Sequence, residues 1–132
     1  MPPSRPPPLV VIVVGDAALR ASLEFNLEVE GFRIDACASG EALLAMDLPP
    51  SDACLVVDER LPGVSGLGAI ARLRAAGVRL PAILLTSRPS ARLRTEALAA
   101  QAHLLDKPLV GDLLPLQVRA ALTAARGEPG AG

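Results

Sequence analysis

Short runs of aliphatic residues alternate along this chain with stretches whose apolar positions recur every three or four residues. Leu9-Val10-Val11-Ile12-Val13-Val14 is unbroken by any polar residue, the pattern of a strand covered on both faces. Over 17–30, Leu19, Leu23 and Leu27 share one helical face, and Gly31 ends that helix. Residues 32–37 form a weaker strand, where Arg33 and Asp35 alternate with less polar neighbours and imply partial exposure near a sheet edge. Ser39 suits the N-cap of a short helix to Met46, which Pro49-Pro50 stop.

The same cycle then repeats. Residues 54–57 form a third strand running into Asp58, and a helix over 66–76 is closed by Gly77. Residues 82–85 form a fourth strand ending at Thr86, and Ser90 caps a helix to about Gln101. His103-Leu104-Leu105 is a short fifth strand leading into Asp106-Lys107-Pro108. A last helix starts at Leu113 with Pro115 in its first turn, where a missing N–H costs little. Five strand–helix units in succession predict an α/β fold on a parallel sheet.

Five prolines among the first eight residues predict a Pro-rich, disordered tail over 1–8. Gly-Glu-Pro-Gly-Ala-Gly predicts a flexible tail over 127–132, which leaves a domain at 9–126. A length of 132 residues suits one core, and 51% hydrophobic residues exclude a disordered chain. The longest apolar run, over 9–14, falls far short of the roughly 20 residues a membrane span needs.

Charge and aromatic content narrow the function classes. Thirteen basic against fourteen acidic residues give a net charge of -1, which supplies no general attraction to nucleic acid or an anionic membrane. Phe25 and Phe32 are the only aromatics, too few for a base-stacking platform. Cys37 and Cys54 sit in apolar stretches without metal-ligand spacing and read as inert buried thiols in a reducing, cytoplasmic compartment.

In an open parallel sheet, residues just past the carboxyl ends of the strands converge on one rim, where ligands bind. That rim should collect Gly15-Asp16, Asp58-Glu59-Arg60, Thr86-Ser87 and Lys107-Pro108. A carboxylate, a hydroxyl and an ammonium from three strands suit a phosphoryl group. The carboxylate is the nucleophile, the ammonium neutralises charge, and the hydroxyl bonds a phosphoryl oxygen once it is present. Any two of these groups alone would read as an ordinary rim ion pair.

Asp58-Glu-Arg-Leu-Pro62-Gly63, Leu85-Thr86-Ser87 twenty-eight residues after the aspartate, and Asp106-Lys107-Pro108-Leu109 a further twenty-one on together resemble the receiver domain of two-component response regulators. The resemblance spans about 9–126. It implies a flavodoxin-like (βα)5 three-layer sandwich with five parallel strands in the order 2-1-3-4-5. By the same likeness Asp58 is the phosphoacceptor, Thr86 and Lys107 sense the phosphoryl group, and Pro108 follows Lys107 through a cis bond. The family's Mg²⁺ is held by two acids after the first strand, by the phosphoacceptor, and by a backbone carbonyl two residues beyond it, here that of Arg60.

The chain departs from this pattern in two places. Counted back from Arg20, the two acid positions hold Val14 and Gly15, so Mg²⁺ is expected to bind weakly or not at all. Asp16, one residue on, is a weak candidate ligand or a simple helix cap. Leu104 stands three residues before Lys107, where the family carries Tyr or Phe, so any switch coupling there passes through packing. The surface of the fourth helix, fifth strand and fifth helix, including Ser87-Arg88-Pro89-Ser90, is the least typical. His103 reads as a surface residue.

The expected protein is thus a signalling module rather than an enzyme. It is a single-domain receiver phosphorylated by a histidine kinase or phosphotransfer protein and acting on a downstream protein. The alternative is a pseudo-receiver that binds partners without phosphorylation. A nucleotide-binding enzyme is suggested by Val13-Val14-Gly15-Asp16, but the Gly-x-Gly-x-x-Gly fingerprint is missing, and Gly63, Gly66 and Gly68 are wrongly spaced.

Overall fold

The computed structural model describes residues 6–127. β1 (Leu9–Val13), β2 (Arg33–Cys37), β3 (Ala53–Asp58), β4 (Ala82–Thr86) and β5 (Ala102–Asp106) form one parallel sheet in the order β2-β1-β3-β4-β5. They alternate with α1 (Ala17–Val29), α2 (Gly40–Leu44), α3 (Gly66–Ala75), α4 (Ala91–Ala99) and α5 (Leu113–Ala125). This is the flavodoxin-like arrangement expected. No helix among the described residues is long and apolar enough to cross a membrane.

Period-two alternation divides the sheet between two cores. Val11, Val13, Leu55, Val57 and Leu84 pack with Leu43, Ile70, Leu73 and Ala97 from α2, α3 and α4. Val10, Ile12, Val14, Val56, Ile83 and Leu85 pack with Leu23, Leu27, Leu114, Val118 and Leu122 from α1 and α5. With helices on both faces, the central strands β3 and β4 are buried throughout and β1 is nearly so. The edge strands β2 and β5 keep exposed positions such as Arg33, Asp35 and His103, as the polar alternation of β2 foretells.

Register brings the strand ends level. Val13 pairs with both Cys37 and Val57, Asp58 with Leu85, and Thr86 with Asp106. Four helices then start from side-chain caps. Asp16, Ser39, Ser65 and Ser90 accept from the amides of Leu19, Ala42, Gly68 and Leu93 at 3.0, 3.1, 3.0 and 3.0 Å. Each such cap contributes about 1 kcal/mol. At Gly66 a side chain is sterically barred, because a Cβ there would press into the carbonyl oxygen of Asp58.

Several boundaries differ from expectation. β1 stops at Val13, because the Val14 amide turns to the Cys37 carbonyl at 3.1 Å as the chain leaves for α1. The second helix ends at Leu44 rather than Met46, before the prolines are reached. The fourth ends at Ala99 rather than Gln101, and Gln101 itself takes a left-handed φ of 56°. Of the predicted N-terminal tail, residues 1–5 lie outside the described residues, whereas Pro7 and Pro8 accept hydrogen bonds from Arg33 at 2.8 and 3.0 Å. A guanidinium and an amide at the start of β2 thus draw these prolines onto the sheet edge. Of the predicted C-terminal tail, residues 128–132 lie outside the described residues. Cys54 is buried as expected, but Cys37, at the end of edge strand β2, is only half-buried.

Candidate functional site

Asp58 is the last residue of β3, and only 5% of its surface is exposed. Its Oδ1 accepts the Arg60 backbone amide at 3.1 Å, and its Oδ2 accepts Lys107 Nζ at 2.8 Å. A carboxylate so far from water requires such partners, and charge-assisted bonds are the strong ones. Lys107 reaches it from just beyond β5. There its own amide donates to the Thr86 carbonyl at 2.8 Å, and a cis peptide bond links it to Pro108. Pairing of β4 with β5 therefore aims the ammonium.

Thr86, buried at the end of β4, lines an open cleft of about 520 Å³ together with Asp58, Arg60, Ser87, Arg88 and Lys107. The carboxylate, hydroxyl and ammonium expected from three strands meet there. Glu59, also at this rim, serves a neighbour instead. Its carboxylate accepts the Leu67 amide at 2.8 Å and its carbonyl accepts the Gly66 amide at 3.1 Å, which seats the start of α3.

The β1–α1 side is built differently. Val14 is fully buried in the α1–α5 core, and its carbonyl accepts Arg20 Nη1 at 2.8 Å. Gly15 and Asp16 border the same notch as Asp58, Leu61, Pro62 and Lys107. Asp16 Oδ1, however, is the acceptor for the Leu19 amide, so this exposed side chain acts as the cap of α1. The notch thus offers one inward carboxylate, with both oxygens already bonded. Among the described residues no three His, Cys, Asp or Glu side chains cluster as a metal site. Mg²⁺ demands near-octahedral oxygen ligation, and this donor set does not fit it.

Leu104 is half-buried against the α2–α4 core, where it can transmit movement only by packing. His103 is exposed, and among the described residues its imidazole has no hydrogen-bond or ion-pair partner. Burial pushes the Cys54 thiol up to about 12, and desolvation, partly offset by the Ser39 backbone, also raises that of Cys37, so neither is an activated nucleophile. Two further residues line the cleft, Arg88, which the sequence placed only in an atypical surface segment, and Leu93, which it did not single out. The signal for Arg88 was its place two residues past the strand-four hydroxyl. Leu93 lies three residues past the Ser90 cap.

A buried aspartate paired with a partly exposed lysine at the carboxyl rim of a 2-1-3-4-5 sheet, with a hydroxyl on the strand between them, defines a receiver-type site. The family model for the response regulator receiver domain matches residues 10–119, and the chain belongs to that family. The transcriptional regulatory protein FixJ of Azorhizobium caulinodans is 35% identical over 92% of this chain and 57% of its own length. The phosphate regulon transcriptional regulatory protein PhoB of Rhizobium meliloti is 38% identical over 92% and 55%. The chain therefore spans just over half the length of these curated relatives.

Among solved structures, full-length FixJ from B. japonicum superposes with a TM-score of 0.77 at 28% identity, covering 89% of this chain and 59% of that one. A CheY-like receiver domain protein from Methanospirillum hungatei shares the fold, with a TM-score of 0.83 at 20% identity over 93% and 99% of the two chains.

Proposed function

We propose that residues 9–126 are a receiver unit in which Asp58 accepts a phosphoryl group from the phosphohistidine of a histidine kinase or phosphotransfer protein. The observation that carries this is the 2.8 Å Lys107–Asp58 contact at a buried carboxylate open to a cleft. An Asp58 oxygen attacks phosphorus, Lys107 offsets charge on the phosphoryl oxygens, and the Thr86 hydroxyl turns to one of them after transfer. Pro108 holds the turn that carries Lys107. Mg²⁺ binds only weakly, because Val14 and Gly15 supply no carboxylate and Asp16 is engaged as a cap. Output passes to a downstream protein at the surface of α4, β5 and α5, in a reducing cytoplasmic setting that suits the free thiols.

The test is intact mass after incubation with acetyl phosphate at high Mg²⁺. A gain of about 80 Da that disappears in Asp58→Asn is expected, the signature of one phosphoryl group on a carboxylate. The missing acids favour one second reading, a module that binds its partner without phosphorylation. No mass gain, together with partner capture unaffected by Asp58→Asn, would establish it.

A further inference from the structure

A divalent ion in such a cleft would neutralise the charge brought by the phosphoryl group, and the donors to hold one are missing on the β1–α1 side. Other charges line the cleft. Arg60, Arg88 and Lys107 surround Asp58, and the second carboxylate, Glu59, is tied to the Leu67 amide. Several arginines of the fold have work elsewhere. Arg20, Arg33 and Arg74 bond backbone carbonyls, and Arg92 and Arg119 pair with Glu96 and Glu30.

The guanidinium groups of Arg60, Arg72, Arg79, Arg88 and Arg94 make no hydrogen bond or ion pair among the described residues, and of these only Arg60 and Arg88 border the Asp58 cleft. Arg60 is anchored beside the carboxylate by the hydrogen bond its backbone N–H donates to Asp58 Oδ1. Arg88 lies between the end of β4 and the Ser90 cap of α4.

From this we infer, on the reading that Asp58 is the phosphoacceptor, that Arg88 and Arg60 replace the divalent cation, so that the cleft binds a tetrahedral phosphoryl dianion and phosphorylates Asp58 without metal. A guanidinium presents a planar fork of donors matched to two phosphoryl oxygens, and its charge does not titrate away at neutral pH. With acetyl phosphate, a new bond forms between an Asp58 oxygen and phosphorus. The bond from phosphorus to the acetyl oxygen breaks, and acetate leaves with the electron pair. No proton or further reactant is needed, and the guanidinium groups offset the charge that shifts onto the phosphoryl oxygens.

The experiment follows the mass gain with acetyl phosphate in EDTA and, separately, in Mg²⁺, for the wild-type chain, Arg88→Gln, Arg60→Gln/Arg88→Gln and Arg94→Gln. Binding of beryllofluoride, a phosphoryl analogue, is read in parallel by ¹⁹F NMR in EDTA. The inference expects wild type to gain the phosphoryl group in EDTA and Arg88→Gln to slow that step at least about tenfold. The double variant should lose it, and Arg94→Gln, on the exposed face of α4, should leave it unchanged. Salt near 1 M should slow it, since exposed guanidinium groups are screened.

A gain only in Mg²⁺, with no beryllofluoride bound in EDTA, overturns the inference and leaves Asp58 the phosphoacceptor. An EDTA reaction equally fast in the double variant also overturns it. No gain in either medium overturns the phosphoacceptor reading itself.

Discussion

The two sides of the notch around Asp58 follow opposite rules. On the side built by β3, β4 and β5, the residues nearest the carboxylate are held by backbone bonds. Asp58 receives the Arg60 amide, Lys107 is anchored by its own amide to Thr86, and Glu59 seats α3. On the β1–α1 side the groups that remain serve the fold alone. Val14 is core, Gly15 has no side chain, and Asp16 caps a helix. The same scaffold thus gathers a carboxylate, a hydroxyl and an ammonium on one side of the notch, while the other side offers it no inward carboxylate. The two halves depend on different strands.

Four changes sharpen or break that contrast. The largest effect is expected from Gly66→Ala, because its Cβ would collide with the carbonyl of Asp58 itself rather than with a yielding side chain. Overpacking of this kind costs about 1–3 kcal/mol, so the urea midpoint should fall. An unchanged midpoint would show the ordered half to be looser than its contacts suggest.

Gly15→Asp should come next. A Cβ there meets only Pro62 Cδ at 3.4 Å and the Ala38 carbonyl at 3.6 Å, so the substitution fits and returns a carboxylate to the poor side. Mg²⁺ affinity, read by the rise in Tm with added metal, should increase about tenfold or more. Without that increase, the β1–α1 loop does not aim a side chain at Asp58.

Asp16→Ala should cost about 1 kcal/mol through loss of the α1 cap, with Mg²⁺ affinity unaltered. A fall in affinity would make Asp16 a ligand and weaken the contrast. The smallest effect belongs to Glu41, which accepts the Val64 amide at 3.0 Å in the loop between β3 and α3. That bond holds its carboxyl below the usual 4.5. Because the folded value is depressed, its contribution is present above the ordinary glutamate range and is lost as pH falls through the folded value. Glu41→Gln should remove a slight loss of stability on acidification below about pH 4.5, seen in urea midpoints across that range.

The linear pattern of the chain is enough for the alternation of strands and helices, for the serine caps at positions 39 and 90, and for β2 as an edge, whereas the Ser65 cap emerges only in the structure. These follow from residue spacing and from hydrogen bonds that reach only three positions along the chain, so neighbours in sequence decide them. The meeting of Asp58, Thr86 and Lys107 was legible only through strand ends and a family likeness, since 49 residues separate the aspartate from the lysine. Their distances came from strand register.

Tertiary structure decided which partner each of the two rim acids meets. Asp16 and Asp58 both follow an apolar strand. Asp58 completes its strand and meets an ammonium from β5, whereas Asp16 lies past the strand end, where the nearest unsatisfied donor is its own helix. The free guanidinium groups of Arg60 and Arg88 are the same kind of fact. An arginine's partner is set by which groups the folded backbone leaves unbonded nearby, and local sequence does not contain that information.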